Sequence, residues 1–333
     1  MFEGKKILIT GGTGSLGTAL TKKLLSYDVD TIRIFSRNEN KQIEMESKLN
    51  DNRIRYLLGD IRDYDRLVRA LEDVDIVFHA AAVKHVPKIE YNPFEAIKTN
   101  VIGSQNLIDA CLHENVDKAI CIGTDKAVSP LNTYGATKLL MEKLFVTAGN
   151  YLNKQRHPTK FIAVRYGNVL GSSGSVLLKF LEQIKLKEKI SITDYKMTRF
   201  SILMDEALDL IFNAAKFGQG SEIFIPKLKA YSIDILKETL FQILENTGEK
   251  TIGIREGEKL HETLINEDEM RNAWEFDNMY VILNPLIEEI WKKKYPNIKK
   301  IEKMKTYSSD IVDKFETDEF IKILKKSKLL EEN

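Results

Sequence analysis

The chain has 333 residues, enough to bury a large core in one domain or in two closely joined ones. Its 50 lysines and arginines nearly balance its 49 aspartates and glutamates, so the net charge of +1 excludes the electrostatic footprint of a general nucleic-acid-binding protein. No apolar run approaches the roughly 18 residues that a membrane-spanning helix requires, so we expect neither a membrane nor a nucleic acid as a partner.

The cysteines, the histidines and the first residues of the chain indicate the cellular compartment of the protein and whether it binds a metal. Cys111 and Cys121 lie in helical or apolar contexts, which are typical of buried, reduced thiols. The five histidines are scattered without the paired spacing of metal ligands. A strand begins almost at once and leaves no room for a signal peptide. We therefore expect a cytoplasmic protein without a metal site.

A strand, a glycine-rich turn and a helix follow one another at the start of the chain. Residues 6–10 are apolar and predict a strand, and residues 16–25 have helical periodicity. Between them, Gly11 permits a tight turn, Gly14 lets backbone N–H groups approach a pyrophosphate, and Gly17 allows close helix packing. The order predicts a dinucleotide site whose candidate residues are Gly11, Gly14, Ser15, Leu16 and Gly17.

The segment after the second predicted strand, residues 31–35, bears on the choice of cofactor. A carboxylate here typically accepts a hydrogen bond from the ribose 2′-hydroxyl of NAD, whereas the 2′-phosphate of NADP requires cations and hydroxyl groups. Glu39 would suit NAD, but its neighbours favour NADP. The candidate residues for that end of the cofactor are Ser36, Arg37, Asn38 and Lys41.

Two further strands predict the rest of the cofactor pocket. The third strand ends at Asp60 and Ile61, which would meet the adenine ring. The fourth ends in Ala80 and Ala81, whose small side chains leave space for the cofactor. Lys84, in the following turn, is either an exposed loop lysine or a cation that reaches the cofactor and the substrate.

The densest group of chemically useful side chains follows the fifth predicted strand, residues 118–122. Thr124, Asp125 and Lys126 come at its carboxyl end, which faces the ligand crevice in an open α/β sheet. Tyr134 and Lys138 share one face of the next predicted helix, so the ammonium can lower the pKa of the phenol. Such pairs also occur by chance, but the neighbouring Thr-Asp-Lys favours removal of a hydroxyl proton while a nicotinamide takes the hydride.

Strands and helices alternate from residue 6 to residue 166, which is the pattern of an α/β fold with a doubly wound parallel sheet, the Rossmann type. Beyond that point short strands and helices predict a smaller C-terminal domain that binds substrate. We expect residues 1–166 to form the dinucleotide-binding domain, with later segments returning to it. Residues 167–333 would then form mainly the substrate-binding domain and a closing helix.

These motifs resemble those of the extended short-chain dehydrogenase/reductase family and, within it, the UDP-N-acetylglucosamine 4,6-dehydratases that invert C5. The resemblance spans residues 7 to 262. Its carriers are the glycine turn, Thr124-Asp125-Lys126, Tyr134-x-x-x-Lys138, and the segments 79–87, 164–169, 192–200 and 253–262. Relatives that act on glucose carry Glu in place of Lys126, and membrane-bound relatives that retain the C5 configuration carry Met in place of Tyr134. Lys126 favours the N-acetylglucosamine branch, and Tyr134, together with the absence of a membrane helix, favours the soluble, inverting one.

The resemblance implies a lyase that removes water from a UDP-sugar and recycles a tightly bound NADP. In it Tyr134, assisted by Lys138, takes the C4 hydroxyl proton, and Thr124 donates to the C4 oxygen. Lys126, neutral for part of the time, removes the C5 proton, and Asp125, with a raised pKa, protonates the departing C6 hydroxyl.

Substrate contacts are also implied by the resemblance rather than by spacing. Arg199 and Arg255 would pair with the diphosphate, and Glu258 would accept hydrogen bonds from the ribose. The further candidates are Lys84, Asn168 and Thr193 for the substrate and Val169 for the cofactor. The resemblance also implies a homo-oligomer, with a hexamer among the forms expected, and a role in polysaccharide or flagellin-glycan biosynthesis, such as supply of pseudaminic acid.

Three alternatives remain open at this point. A dehydratase that retains C5 would also give a methyl product, but with the D-xylo configuration. A UDP-hexose 4-epimerase would need Tyr134 and Lys138 but not the acid and base at Asp125 and Lys126. A non-catalytic sensor of NADP would bind the cofactor without turnover.

Overall fold

The computed structural model describes residues 1–150, 152–153, 155–172, 174–285, 293–295, 297–327 and 330. The strands are β1 (Lys6–Thr10), β2 (Thr31–Ser36), β3 (Ile54–Leu58), β4 (Ile76–His79), β5 (Lys118–Ile122), β6 (Lys160–Val164), β7 (Asn168–Val169), β8 (Ile190–Ile192), β9 (Thr198–Ile202), β10 (Ile223–Pro226), β11 (Ala230–Ser232), β12 (Glu249–Thr251), β13 (Thr263–Ile265), β14 (Ala273–Phe276), β15 (Met279–Ile282), β16 (Lys299–Lys300) and β17 (Tyr307–Ser308). The α-helices are α1 (Ser15–Leu24), α2 (Glu39–Leu49), α3 (Tyr64–Leu71), α4 (Val86–Tyr91), α5 (Pro93–Ala96), α6 (Gly103–His113), α7 (Thr133–Thr147), α8 (Val176–Lys185), α9 (Met204–Phe217), α10 (Ile233–Ile243), α11 (Glu267–Met270) and α12 (Thr317–Lys326).

Among the described residues, ten strands form one large sheet in the order β16-β14-β15-β10-β6-β5-β4-β1-β2-β3. The seven strands from β10 to β3 are all parallel to their neighbours. Strands β15, β14 and β16 extend the sheet with antiparallel pairing. The order 3-2-1-4-5-6 within the parallel part is that of a doubly wound dinucleotide-binding sheet, and the predicted Rossmann fold class is confirmed.

Helices cover both faces of the sheet, and two apolar clusters fill the space beneath them. One face packs against α1 and α9, through residues such as Leu20 and Ile211. The other packs against α3, α6 and α7, where Leu107 and Phe145 are fully buried. Burial on both faces explains why the central strands are almost continuously apolar rather than alternating. Both cysteines are buried and free, as predicted.

The helical region over residues 93–113 is irregular. It divides into α5, a π-helical segment (Ile97–Ile102) and α6. Asn100 lies in the π-helical segment and is fully buried. Its side chain accepts from the Val83 amide at 2.9 Å and donates to the Val83 carbonyl at 3.0 Å and to Thr137 at 3.1 Å. The irregular turn therefore ties the loop after β4 to helix α7.

Elements after residue 167 contribute both to the large sheet and to a smaller body with its own core. Strands β10, β14 and β15 extend the large sheet, while the described small sheets are β11-β9-β7, β12-β8 and β13-β17. A third apolar cluster brings α8, α10 and α12 together through side chains such as Phe180, Leu236 and Phe320. No helix in the described part of the chain is long and apolar enough to cross a membrane.

Gly17→Ala is expected to lower the free energy of unfolding by about 1–3 kcal/mol, because overpacking forces backbone shifts. A Cβ at position 17 would lie 2.5 Å from the backbone of Gly12, so helix α1 would have to move away from the turn. Gly149→Ala is the matched control, since its Cβ would meet nothing within 4 Å. Urea unfolding measures both, and equal stabilities for the two variants would contradict the packing argument.

Candidate active site

A cavity of about 1330 Å³ opens at the carboxyl ends of the parallel strands, between the large sheet and the smaller body. All the cofactor-binding and substrate-binding residues predicted from the sequence line it. Thr124, Lys126, Tyr134 and Lys138 line it as well. Asp125 differs from the other predicted residues, because its side chain is fully buried beneath the wall.

The glycine turn has the geometry that a dinucleotide pyrophosphate requires. Gly11 adopts φ +65°, and a Cβ there would lie 2.8 Å from the backbone of Ala81, so a side chain would fill the approach to the cavity. Helix α1 begins at Ser15, and its first turn contains no acidic residue. Gly14 caps the helix without a side-chain hydrogen bond. These residues fit a bound pyrophosphate at the positive end of the helix.

The residues predicted to bind the adenosine end of the cofactor include cations. Some of their polar groups also form hydrogen bonds within the protein. Asn38 caps helix α2, since its side chain accepts from the amide of Lys41 at 2.9 Å. Ser36 Oγ accepts from Gln42 at 2.9 Å. Arg37 is half-exposed, with Nη1 3.7 Å from Asp60 Oδ2. Arg37 and Lys41 are therefore the cations at this end, and both fit a 2′-phosphate.

Lys126 is at the centre of the polar cluster opposite the glycine turn. Its Nζ donates to Asp125 Oδ1 at 3.0 Å and to Asn168 Oδ1 at 3.1 Å, and lies 3.4 Å from Glu262 Oε1. Thr124 Oγ1 donates to Asp125 Oδ1 at 2.9 Å. The short turn Asp125–Ala127 after β5 places these groups together, because Thr124 caps it through the Lys126 amide. Residues from separate segments thus converge on one ammonium.

Burial raises the pKa of Asp125, and the nearby charge of Glu262 adds to the effect. The positive charge of Lys126 and hydrogen bonds from Lys126 and Thr124 oppose it. Oδ2 of Asp125 has no hydrogen-bond partner in the structure. The raised pKa agrees in direction with the acid role predicted from the sequence.

The pKa of Lys126 is shifted in the direction opposite to that expected from the sequence. Burial alone would lower it, but the neighbouring carboxylates of Asp125 and Glu262 raise it above its ordinary value. The expectation of a partly neutral amine is therefore wrong for this structure. The reason is that the carboxylates of Asp125 and Glu262 both lie beside the ammonium, and Glu262 is too distant in sequence for a local motif to predict that contact.

The structure also differs from the prediction for Tyr134 and Lys138. Burial raises the pKa of Tyr134, and the charge of Lys126 and a hydrogen bond with Thr124 oppose that rise. The Lys138 ammonium donates to the carbonyl oxygen of Ile122, and burial lowers its pKa. The main cation acting on the phenol is therefore Lys126 rather than Lys138.

The candidate nucleotide-binding residues come from two separate segments that line the cavity. Arg199 is almost buried on β9, and its Nη1 donates to the carbonyls of Thr198 at 2.7 Å and Leu260 at 3.1 Å. Arg255 is half-exposed, with Nη1 3.6 Å from Glu258 Oε1. Both guanidinium groups line the cavity and can therefore contact an anionic ligand.

Two further predicted substrate residues already have internal partners. Thr193 follows β8, and its Oγ1 donates to the sulfur of Met197 at 3.4 Å. Asn168 lies on β7, accepts from Lys126 and also hydrogen-bonds with Tyr231. Asn168 therefore links Lys126, which follows the carboxyl end of β5, to the smaller body.

Among the residues at the site that were not predicted from the sequence, three contact the predicted residues or the strand end that carries them. They are Tyr231, Lys259 and Glu262. Lys259 donates to the carbonyl of Val128, and Tyr231 hydrogen-bonds with Asn168. Glu262 is the last residue of the segment 253–262, which carried the family resemblance. Nothing in the neighbouring sequence indicated that it contacts Lys126. In the described residues, no group of three His, Cys, Asp or Glu side chains could hold a metal ion.

Comparisons with known proteins agree with this architecture. A model of the polysaccharide biosynthesis protein family matches residues 7–284. An uncharacterized membrane protein of Methanocaldococcus jannaschii is 46% identical over 320 residues, covering 91% of this chain and 96% of that protein. An inverting UDP-N-acetylglucosamine 4,6-dehydratase of Campylobacter jejuni is 50% identical over 285 residues, with 85% and 84% covered. A UDP-glucose 4-epimerase of Rickettsia bellii is 42% identical over 287 residues, also with 85% and 84% covered.

Among solved structures, the X-ray structure of Pen from Bacillus thuringiensis superposes with a TM-score of 0.92 at 39% identity. The match covers 99% of this chain and 100% of that one. The resemblance drawn from the motifs is thereby confirmed at the level of family and fold. On these grounds the chain belongs to the polysaccharide biosynthesis protein family.

Proposed function

We propose that this chain is a UDP-N-acetylglucosamine 4,6-dehydratase that inverts C5 and uses NADP. The observation that carries the proposal is the position of the Lys126 ammonium, 3.0 Å from Asp125, in the cavity that also holds Tyr134 and the glycine turn. An acid and a base beside a phenol are what elimination of water requires, and simple oxidation of an alcohol does not need them. The 50% identical relative that bears this name supports the proposal.

The first step concerns C4 of the sugar. Tyr134 Oη takes the proton of the C4 hydroxyl, and Thr124 Oγ1 donates a hydrogen bond to the C4 oxygen. The glycine turn, Arg37 and Lys41 would hold NADP, which when bound would supply acceptance of the C4 hydride and its return to C6. The 4-ketone that results acidifies the proton at C5.

Elimination then needs a base at C5 and an acid at C6. Lys126 Nζ takes the C5 proton, the C5 electron pair forms the double bond to C6, and the C6 hydroxyl leaves with a proton as water. That proton comes from Asp125. Asp125 is buried beneath the cavity wall, and the hydroxyl of Thr124, which donates to its Oδ1 at 2.9 Å, lines the cavity beside it.

Binding of the UDP portion completes the proposal. The diphosphate lies between Arg199 and Arg255, Glu258 accepts from the ribose, and Lys84, Asn168 and Thr193 contact the sugar or nucleotide. Residues 1–166 hold the cofactor with help from later strands, and residues 167–333 hold mainly the nucleotide sugar. The protein acts in the cytoplasm as a homo-oligomer and supplies a deoxysugar for glycan synthesis.

Proton NMR of UDP-N-acetylglucosamine incubated with the protein in D2O tests the proposal. We expect a new C6 methyl signal, L-arabino couplings and deuterium at C5, without added cofactor. A methyl product with D-xylo couplings would contradict inversion. Absence of any product, even after addition of NADP and then of NAD, would contradict the substrate.

A UDP-hexose 4-epimerase is the second candidate, because relatives about 42% identical carry that name. An epimerase conserves the mass of its substrate, and it has no use for an acid and a base at Asp125 and Lys126. The same NMR experiment separates the two. A galacto-configured product without a methyl group would establish the epimerase.

Arg37→Ala is expected to raise the Kd of NADPH about tenfold, because one charge-assisted contact with the 2′-phosphate is lost. The Kd of NADH should stay within about twofold, because NADH lacks the 2′-phosphate. Calorimetric titration of protein freed of its bound cofactor measures both constants. An equal change in the two would contradict the preference for NADP.

A further inference from the structure

Lys179, on helix α8, lines the active-site cavity but was not among the residues predicted from the sequence. Ser175, the N-cap of the helix, and Val176 line the cavity with it, and their spacing of four and three residues from Lys179 places the three on one face. The opposite face carries Leu177 and Phe180, which are buried in the third apolar cluster. Packing of that apolar face therefore turns Lys179 toward the cavity.

The charges around the ammonium of Lys179 are mostly positive. Those that act on it belong to Arg255, Glu258 and Lys250, whereas Glu256, which also lines the cavity, is not among them. Burial and the charge of Arg255 lower the pKa of Lys179, Glu258 opposes them, and Lys250 lowers it further. Like charges held close together are unfavourable unless an anion lies beside them. An anionic ligand in the cavity would therefore stabilise this group.

The two arginines predicted to bind the diphosphate already have partners within the protein. Arg199 Nε lies 3.8 Å from Glu262 Oε1, and its Nη1 donates to two backbone carbonyls. Arg255 Nη1 lies 3.6 Å from Glu258 Oε1. With the described residues, the ammonium of Lys179 forms neither an ion pair nor a hydrogen bond. Of these three cations that line the cavity, Lys179 is therefore the one that the protein engages least.

Resting on the function proposed above, we propose that Lys179 binds the diphosphate of the nucleotide sugar together with Arg255. The two phosphate groups of such a substrate need cations or N–H donors once their oxygens leave water. A lysine ammonium on its flexible stem meets phosphate oxygens as a point charge, whereas a guanidinium forms two parallel hydrogen bonds. Helix α8 and the segment 253–262 thus each supply one cation to the same anion.

Lys179→Met tests this contact, since it keeps most of the length of the side chain and removes its charge. The Kd of UDP should rise about tenfold, because one charge-assisted contact with a phosphate is lost. The Kd of uridine, which has no phosphate, should stay within about twofold. Calorimetric titration measures UDP, and competition against UDP measures the weaker uridine. An unchanged Kd of UDP, or an equal change in both constants, would overturn the proposal.

Two further variants control for charge and for folding. Lys185 lies on the same helix, is exposed, and is not one of the described residues that line the cavity, so Lys185→Met should leave the Kd of UDP within about twofold. If Lys185→Met weakens UDP binding as much as Lys179→Met does, the effect reflects the overall charge of the protein and the proposal fails. Lys179→Arg keeps a cation and should recover most of the affinity, and it replaces the methionine variant if that variant does not fold.

The salt dependence of UDP binding separates an electrostatic contact from a change in packing. Lys179 is only partly buried, so dissolved ions can screen its charge. The Debye length falls from about 30 Å at 0.01 M salt to about 3 Å at 1 M. The difference in the Kd of UDP between the parent protein and Lys179→Met should therefore shrink from about tenfold to about twofold over that range. A difference that does not change with salt would overturn the proposal.

Turnover of UDP-N-acetylglucosamine separates this contact from the proposed function. In an active dehydratase, Lys179→Met should raise KM about tenfold and leave kcat within about threefold, because the lost contact is made equally in the ground state and the transition state. An unchanged KM would overturn the role of Lys179 alone. A parent protein that forms no methyl product, but binds UDP more tightly than Lys179→Met does, would overturn the dehydratase and support the diphosphate contact.

Discussion

Lys126→Met is expected to lower formation of the methyl product by about 1000-fold, the scale of general acid–base catalysis. Methionine keeps the length of the side chain but cannot accept the C5 proton. It also removes the ammonium that bonds Asp125 and Asn168, so the acid would lose one of its hydrogen-bond partners. Tyr134 and Thr124 remain in place, so oxidation at C4 should continue, although more slowly, because the charge that opposes the rise in the pKa of Tyr134 is lost.

Single-turnover absorbance of the reduced nicotinamide and NMR of the product separate these two effects. In Lys126→Met the reduced cofactor should accumulate, because its hydride has no C5–C6 double bond to enter. Tyr134→Phe is the matched comparison and should suppress both signals, since no group would take the C4 hydroxyl proton. If Lys126→Met forms the methyl product at the parental rate, Lys126 is not the base and the assignment fails.

The parts of the fold that could be predicted from sequence are those encoded by neighbouring residues. Strands β1 and β5 begin and end where their apolar runs do, because each is buried on both faces. The glycine turn follows β1, and the Thr124-Asp125-Lys126 group follows β5. Topology alone then brings both groups to one edge of the sheet.

The electrostatics of the site could not be predicted in the same way. Whether Lys126 is charged depends on Glu262, which reaches it through the packing of Ser309 and Thr198. Periodicity carries no information about such contacts between distant segments. The same limit applies to Lys138, because the orientation of its side chain is set by a hydrogen bond to the carbonyl of Ile122 at the end of β5.

A second contact between residues distant in sequence involves Arg165, which directly follows β6. Its side chain is fully buried between two carboxylates. Its Nε donates to Glu142 Oε2 at 3.0 Å, and its Nη1 and Nη2 donate to the two oxygens of Glu269 at 2.9 Å and 2.8 Å. Nη1 also donates to the carbonyl of Leu264 at 2.8 Å. The guanidinium thus joins the end of β6 to α7, β13 and α11. Because α7 carries Tyr134, this cluster also supports the catalytic helix.

Arg165→Met is expected to lower the free energy of unfolding by about 3–5 kcal/mol, since removing one partner of a buried ion pair leaves an uncompensated charge. Glu142 is fully buried and would keep its carboxylate without a cation. Urea unfolding at neutral pH measures the loss. The double variant Arg165→Met/Glu142→Gln should recover part of it, because the buried charge is then gone.

The pH dependence of that loss has a definite sign. Burial alone would raise the pKa of Glu269, but Arg165 and its hydrogen bonds hold it below the ordinary value. A carboxyl whose folded pKa lies below its unfolded pKa contributes stability above the unfolded value, and the contribution is lost as pH falls. The difference between the parent protein and Arg165→Met should therefore shrink in acid. A difference that stays the same as pH falls would show that Arg165 supports the fold by packing rather than by its charge.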